Sequence, residues 1–287
     1  MQALYAQLLV GLINGSFYAL LSLGLAVIFG MLNIINFAHG ALYMMGAFCA
    51  YFLLNVMNIG YWPALIIAPI AVGIFGMILE RTMLKFLAGL DHLYGLLLTF
   101  GIALIVQGVF QNYFGSSGLP YSIPDELKGG MNLGFMFLPI YRGWVVVFSL
   151  IVCFATWFLI ERTRLGANLR AATENPALVR AFGINVPRMI TLTYGLGVGL
   201  AARAGVLSAP INQVRPLMGA DLIIVVFAVV VIGGMGSIMG SIITGFALGV
   251  VEGLTKYFYP EASNTVVFVL MVLVLLVKPS GLTGRTT

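Results

Sequence analysis

Few residues in this chain could do acid–base or nucleophilic chemistry, and their placement argues against it. The sequence holds 2 histidines and 2 cysteines. His39, Cys49 and Cys153 sit inside apolar runs, and His92 follows Asp91 in a short polar break. A hydrolytic centre needs a base beside its nucleophile and a third group to orient that base. No Ser-His-Asp or Cys-His arrangement can be assembled here. No metal site is expected either, because only His92 could join His39 and no acidic or cysteine cluster lies near them. The cysteines read as small apolar filler rather than as a disulfide. A phosphate-binding loop would show as Gly-x-x-x-x-Gly-Lys-Ser/Thr. None occurs, and none of the lysines (Lys85, Lys128, Lys256, Lys278) follows such a glycine loop. The chain is expected to bind no cofactor or nucleotide itself, and to perform no reaction.

The elements that carry these residues are membrane helices. The composition is 61% hydrophobic and 8% charged, with mean hydropathy +1.07. Soluble domains carry roughly 25% charged residues, and single soluble cores stop growing near ~250–300 residues. Lipid is the solvent that removes the conflict, and 35 glycines fit it, since glycine is frequent in membrane helices. A spanning helix needs ~20 mostly apolar residues. Nine stretches come close, at about 4–30, 36–56, 62–79, 93–113, 143–160, 189–209, 222–240, 242–259 and 264–278. The last four are short or closely joined, so eight or nine full spans are expected. The run from Leu4 to Gly30 lacks a charged leader and a small-residue cleavage site, and reads as a retained helix.

The net charge of +5 does not suggest nucleic acid, because the basic residues lie mostly in short loops, where they set topology. Glu161 to Arg188 holds Arg162, Arg164, Arg170, Arg180 and Arg188, the strongest positive cluster. That loop is expected in the cytoplasm. Alternation then places Arg81, Lys85, Lys278 and Arg285 inside, and the Phe114–Arg142 loop with Asp125, Glu126 and Lys128 outside. The C-terminus is expected to be cytoplasmic.

Polar groups inside the spans need an explanation, because lipid offers them no partner. Asn14, Ser16, Asn33, Asn36 and His39 cluster in the first two spans. Asn14, Ser16, Asn36 and His39 are the candidates for a translocation path; the plainer alternative is that they satisfy local backbone. A broken helix at Asn36 and His39 would free backbone groups for a passing solute or a partner segment. Arg203 and Glu252 are the charges deepest in apolar sequence, each costing ~2.5–3.5 kcal/mol alone at the bilayer centre. An ion pair between them would relieve this, but separate snorkelling toward headgroups is the favoured expectation.

Small residues recur every fourth position at Gly233, Ser237, Ser241, Gly245, Gly249 and Gly253, beside a second row of Gly236, Gly240 and Thr244. On one continuous helix they form a stripe for close packing, with Gly233, Gly234, Gly236, Ser237 and Gly240 at its head. The alternatives are a sliding contact along the stripe, or a turn of the chain at Gly-Gly-Met-Gly. Gly11, Gly15 and Ala19 make a similar row early on.

The loop from Glu161 to Arg188 contains helix signals of its own. Asn175 can cap, Pro176 suits the first helical position and Gly183 can close the end. Leu178, Val179 and Phe182, three and four apart, are expected to form one apolar ridge. So short a helix is marginal in water and must be held by something. It is either a surface anchor or a docking element for a soluble partner.

At this loop the chain resembles the permease subunits of bacterial ABC importers, specifically the branched-chain amino acid family of the LivH type. The likeness rests on Asn33-Ile-Ile-Asn-Phe-Ala-His-Gly40, on Arg170-Ala-Ala-Thr-Glu-Asn-Pro176 with Ala181-Phe-Gly-Ile-Asn-Val186, and on Gly233-Gly-Met-Gly-Ser-Ile-Met-Gly-Ser241. It covers nearly the whole chain. The resemblance implies an all-α polytopic helix bundle with the ABC importer permease fold, one transmembrane permease domain over 1–287 and a coupling loop at about 161–188. It implies a related second permease as heterodimer partner, two cytoplasmic ATPases holding ATP and Mg, and a periplasmic substrate-binding protein. It places the chain in the bacterial inner membrane. Arg170, Glu174, Asn175, Pro176, Leu178, Phe182 and Gly183 would then be the residues that couple it to the ATPase. The implied cargo is a branched-chain or related amino acid, with urea, amides or aromatic acids as alternatives. An ion-coupled secondary transporter would need acidic residues near the midplane, and Glu252 alone qualifies. Such a transporter would also leave the capped helix unexplained, while a structural scaffold predicts no transport defect when Glu174 or that helix is altered.

Overall fold

The computed structural model describes residues 2–32, 34–87, 90–134 and 136–284; Asn33 and Arg285 lie outside them. Its helices run in the order α1 (Gln2–Leu32), α2 (Ala38–Asn55), α3 (Tyr61–Thr82), α4 (His92–Phe114), α5 (Ile140–Glu161), α6 (Arg164–Glu174), α7 (Pro176–Ala181), α8 (Val186–Asn212), α9 (Met218–Gly233), α10 (Ile238–Phe258) and α11 (Val266–Val277). A two-stranded antiparallel hairpin, β1 (Gly130–Asn132) and β2 (Phe137–Pro139), lies between α4 and α5.

Each of the nine apolar stretches contains a helix, and the chain is a multi-pass membrane protein. Among the described residues six helices, α1, α3, α4, α5, α8 and α10, are long and apolar enough to cross a bilayer. α9 and α11 have 16 and 12 residues. At 1.5 Å per residue they reach only roughly 24 and 18 Å of a ~30 Å hydrocarbon core. α2 has 18 residues, most of them buried against protein. Its polar start therefore meets side chains, not lipid.

The chain divides into two compact units, one of Met1–Leu23, Ser122–Phe154 and Ile224–Thr287, the other of Gly24–Tyr121 and Ala155–Ile223. In the second, α2 packs on α3, α4 and α8, and α3 also packs on α8. Small residues set these approaches. A Cβ on Gly46 of α2 would strike the backbone of Ala202 in α8, and one on Gly205 of α8 would strike that of Tyr43. α3 and α8 run antiparallel, with Gly73 beside Gly195 and Pro69 beside Gly199. Packing of this kind replaces the hydrophobic effect, which lipid does not supply between helices. Leu42, Val72, Leu79, Tyr194 and Val198 fill the centre. Leu119 and Val214 exchange backbone hydrogen bonds of 2.8 and 2.9 Å. The α4–α5 loop and the α8–α9 linker thus share one side of the membrane, as alternation requires.

In the first unit, α1 and α10 are antiparallel through two facing rows. Gly11 meets Gly249, Gly15 meets Gly245 and Phe246, and Gly253 meets Gln7. The Ser22 hydroxyl donates to the Ser241 carbonyl at 3.3 Å. The row from Ser241 to Gly253 is therefore a packing face, but it does not continue back to Gly233. Gly234 and Gly236 have φ of 100° and 82°, which end α9 and turn the chain. Ser237 then caps α10, its Oγ accepting from the Gly240 N–H at 3.1 Å. Gly233 packs against Gly240 and Ser241 across this turn. The tail closes over it: Leu282 N–H donates to the Ile232 carbonyl at 2.8 Å, and the Thr283 hydroxyl donates to the Gly233 carbonyl at 2.6 Å. These bonds satisfy carbonyls that the end of α9 would otherwise leave open.

Candidate functional site

The segment between α5 and α8 is two helices, not the single one expected around Glu174 to Gly183. α6 is seated on the end of α5. Gly166 lies so close to the Ile160 carbonyl that a side chain there would collide with it. Arg170 Nη1 donates to the same carbonyl at 3.0 Å and approaches Glu161 Oε2 at 3.3 Å. Arg170 is thus a strut within the segment. Asn175 starts α7, its Oδ1 accepting from the Leu178 N–H at 3.0 Å, with Pro176 in the first turn. Gly183, at φ 81°, ends it, and its N–H donates to the Arg180 carbonyl at 2.9 Å. Asn185 then caps α8 through the Arg188 N–H at 3.1 Å.

The expected three-residue ridge is split. Val179 turns inward, 5% exposed, against Ala172 and Val186. Leu178 and Phe182 point outward at 53% and 77%. The physical reason is that a helix of 6 residues cannot stand alone, so one apolar side chain anchors it to α6 and α8. What remains is a capped apolar outcrop beside exposed Glu174 and Arg180, on a short, braced base. Asn175→Ala is expected to cost about 1 kcal/mol of α7 stability. Hydrogen exchange at the Leu178 amide should then speed up roughly fivefold.

The four translocation-path candidates fall in different units. Asn14 and Ser16 lie in the first, Asn36 and His39 in the second. Ser16 is fully buried, and its hydroxyl donates to the Ile13 carbonyl at 2.6 Å, the plain local-backbone role. His39 is also fully enclosed, its ring lying where a Cβ on Gly24 would reach. Among the described residues no three His, Cys, Asp or Glu side chains gather to hold a metal.

The break between α1 and α2 does exist, but among its described backbone groups the Phe37 N–H and the Ile35 and Asn36 carbonyls are already taken. Thr99 of α4 accepts from the Phe37 N–H at 3.1 Å and donates to the Ile35 carbonyl at 3.2 Å. Asn36 Nδ2 donates to the Tyr194 hydroxyl of α8 at 3.0 Å, while its Oδ1 has no partner among the described residues. Thr99 and Tyr194 went unnoticed in the sequence because a lone Thr or Tyr within an apolar run carries no local signal.

Glu252 is relieved within its own unit. Tyr18 donates to Oε2 at 2.7 Å, and Lys256, one turn along α10, pairs with Oε1. The i+4 spacing of Glu252 and Lys256 is a pairing signal present in the sequence itself. Tyr18→Phe removes a hydrogen bond to a buried charge and is expected to cost about 2 kcal/mol. Thermal unfolding of the detergent-solubilised chain reads this loss, and an unchanged midpoint contradicts it.

The geometry can be set beside known proteins. Residues 7–275 match the family model for the branched-chain amino acid transport system / permease component. The chain is 32% identical to the high-affinity branched-chain amino acid transport system permease protein BraD of Pseudomonas aeruginosa, over 97% of this chain and 95% of that protein. It is 30% identical to the LivH permease of Escherichia coli over the same shares, and 28% identical to a probable LivH permease of Methanocaldococcus jannaschii, over 95% and 90%. The chain belongs to this permease family, and it is a transport subunit of the membrane. No solved structure matches it.

Proposed function

We propose that the chain is one permease of an ATP-driven importer for branched-chain amino acids. The family match that runs without interruption through the membrane helices and through α6–α7 carries this reading. In it the chain is one transmembrane domain, paired with a related second permease in the inner membrane, with its C-terminus in the cytoplasm. A periplasmic protein delivers the solute, and two ATPases holding ATP and Mg supply the energy. Leu178 and Phe182 enter a groove on one ATPase. Asn175, Pro176 and Gly183 shape α7, Arg170 braces it, and Glu174 lies at its edge. ATPase closure then moves α6–α7 and, through their rigid seat on α5 and α8, the helices around the path. Asn36, with an open carbonyl oxygen, is the path candidate best equipped to meet a solute ammonium group once the path opens. The residues around the Gly234–Ser237 turn hold α9 and α10 in register.

Vesicles carrying the chain with its partner subunits and binding protein test this. Labelled leucine should accumulate only when ATP and both ATPases are supplied, and should outcompete urea, short amides and aromatic acids. Accumulation driven by an ion gradient with the ATPases removed would overturn the reading. Preference for one of the other solutes would overturn the cargo alone.

A further inference from the structure

The α3–α8 pair also builds a groove distinct from the α7 outcrop. Following the antiparallel register from Pro69–Gly199 through Gly73–Gly195, Glu80 meets Thr191, whose hydroxyl donates to Glu80 Oε2 at 2.6 Å. By the same register, Arg81 in the last turn of α3 falls level with Arg188 in the first turn of α8. Both line one groove of about 300 Å³. Its walls are Ile74, Met77 and Ile78, three and four apart on α3, with Leu192 on α8. Ile74, Ile78 and Leu192 are exposed.

Neither arginine has an ion pair among the described residues, and the nearby carboxylate of Glu80 is buried and engaged by Thr191. Two facing like charges repel, and the N-terminal turn of α8 also favours an anion over Arg188. From Arg81 back to Ile74 the wall spans two helical turns, roughly 10 Å along the helix. The groove therefore has a doubly cationic mouth at headgroup level and an apolar floor running toward the bilayer interior. Basic pockets between membrane helices take anionic headgroups.

The geometry points to an anionic phospholipid held in the α3–α8 groove, its phosphate between Arg81 and Arg188 and one acyl chain along Ile74, Ile78 and Leu192. This reading needs only a membrane protein, and stands or falls separately from the transported solute.

The test is retention of lipid by the intact transporter, purified from nanodiscs of phosphatidylcholine with phosphatidylglycerol and weighed by native mass spectrometry. Arg81→Gln with Arg188→Gln should weaken phosphatidylglycerol retention roughly thirtyfold, the combined effect of two headgroup-level arginines. Phosphatidylcholine retention should not change. Arg162→Gln with Arg164→Gln removes the same charge away from the groove and should leave retention intact. Leu192→Trp keeps both arginines but fills the floor, and should also release the lipid. Unchanged retention in the Arg81/Arg188 variant, or an equal loss in the Arg162/Arg164 control, overturns the proposal. Full retention in Leu192→Trp means that the arginines hold phosphate without an acyl chain, and overturns it too. If the Arg81/Arg188 variant sheds its partner subunits with lipid unchanged, the groove is a subunit interface instead.

Discussion

Aspartate at both Leu178 and Phe182 should abolish ATP-driven uptake while leaving the chain in the membrane at its normal level. Both side chains are more than half exposed and neither anchors α7. That anchor is Val179, so the helix and its Asn175 cap should survive the change. A partner that buries these two side chains loses about 2 kcal/mol for each, and must also desolvate two carboxylates. Together this weakens ATPase attachment by roughly a thousandfold or more. Co-purification of the ATPase and leucine uptake should fail together. Normal uptake by the double variant would sink the docking role of α7. Val179→Asp is the contrast: it should unfold the segment itself and raise hydrogen exchange across α6 and α7.

The second large effect is on folding. Gly46→Val should destabilise the chain by about 3 kcal/mol, because the added atoms meet the Ala202 backbone, which cannot rotate away. Against a total stability of about 5–15 kcal/mol that is a large share. The chain should be depleted from the membrane, and the remainder should unfold at lower temperature in detergent. Gly108→Val is the control. It has nothing within 4 Å of its would-be Cβ, and α4 should absorb the change within about 0.5 kcal/mol. Equal behaviour of the two variants would mean that the α2–α8 approach is not held by the small residue.

Membrane residence, the helix order and the α7 caps were legible because each is written locally. Hydropathy runs mark spans, and Asn175, Pro176 and Gly183 stand at the positions a short helix needs. What escaped is what depends on distant partners. Three and four residue spacing put Leu178, Val179 and Phe182 on one ridge, but the packing of Val179 against Ala172 and Val186 divided it. The four-residue row from Gly233 to Gly253 left a continuous stripe and a turn at Gly-Gly-Met-Gly both open, because period alone does not reveal that Gly234 and Gly236 adopt positive φ. Asn36 and His39 suggested either open or locally satisfied backbone, and neither reading could show that Thr99, 62 residues from Phe37, takes the Phe37 N–H and the Ile35 carbonyl.

The strap over the end of α9 has a consequence in time. Thr283 bonds to Gly233 from 50 residues further along the chain. At synthesis rates of about 5–20 residues per second, α9 emerges roughly 3–10 s before its last carbonyls find their partner. Until then that helix end is held by water or the insertion machinery alone. The strap that closes the α9–α10 turn is thus added only after Leu282 and Thr283 have left the ribosome, well after the turn itself has formed. A ribosome stalled in α11 would release a chain whose defect lies two helices upstream of the stall.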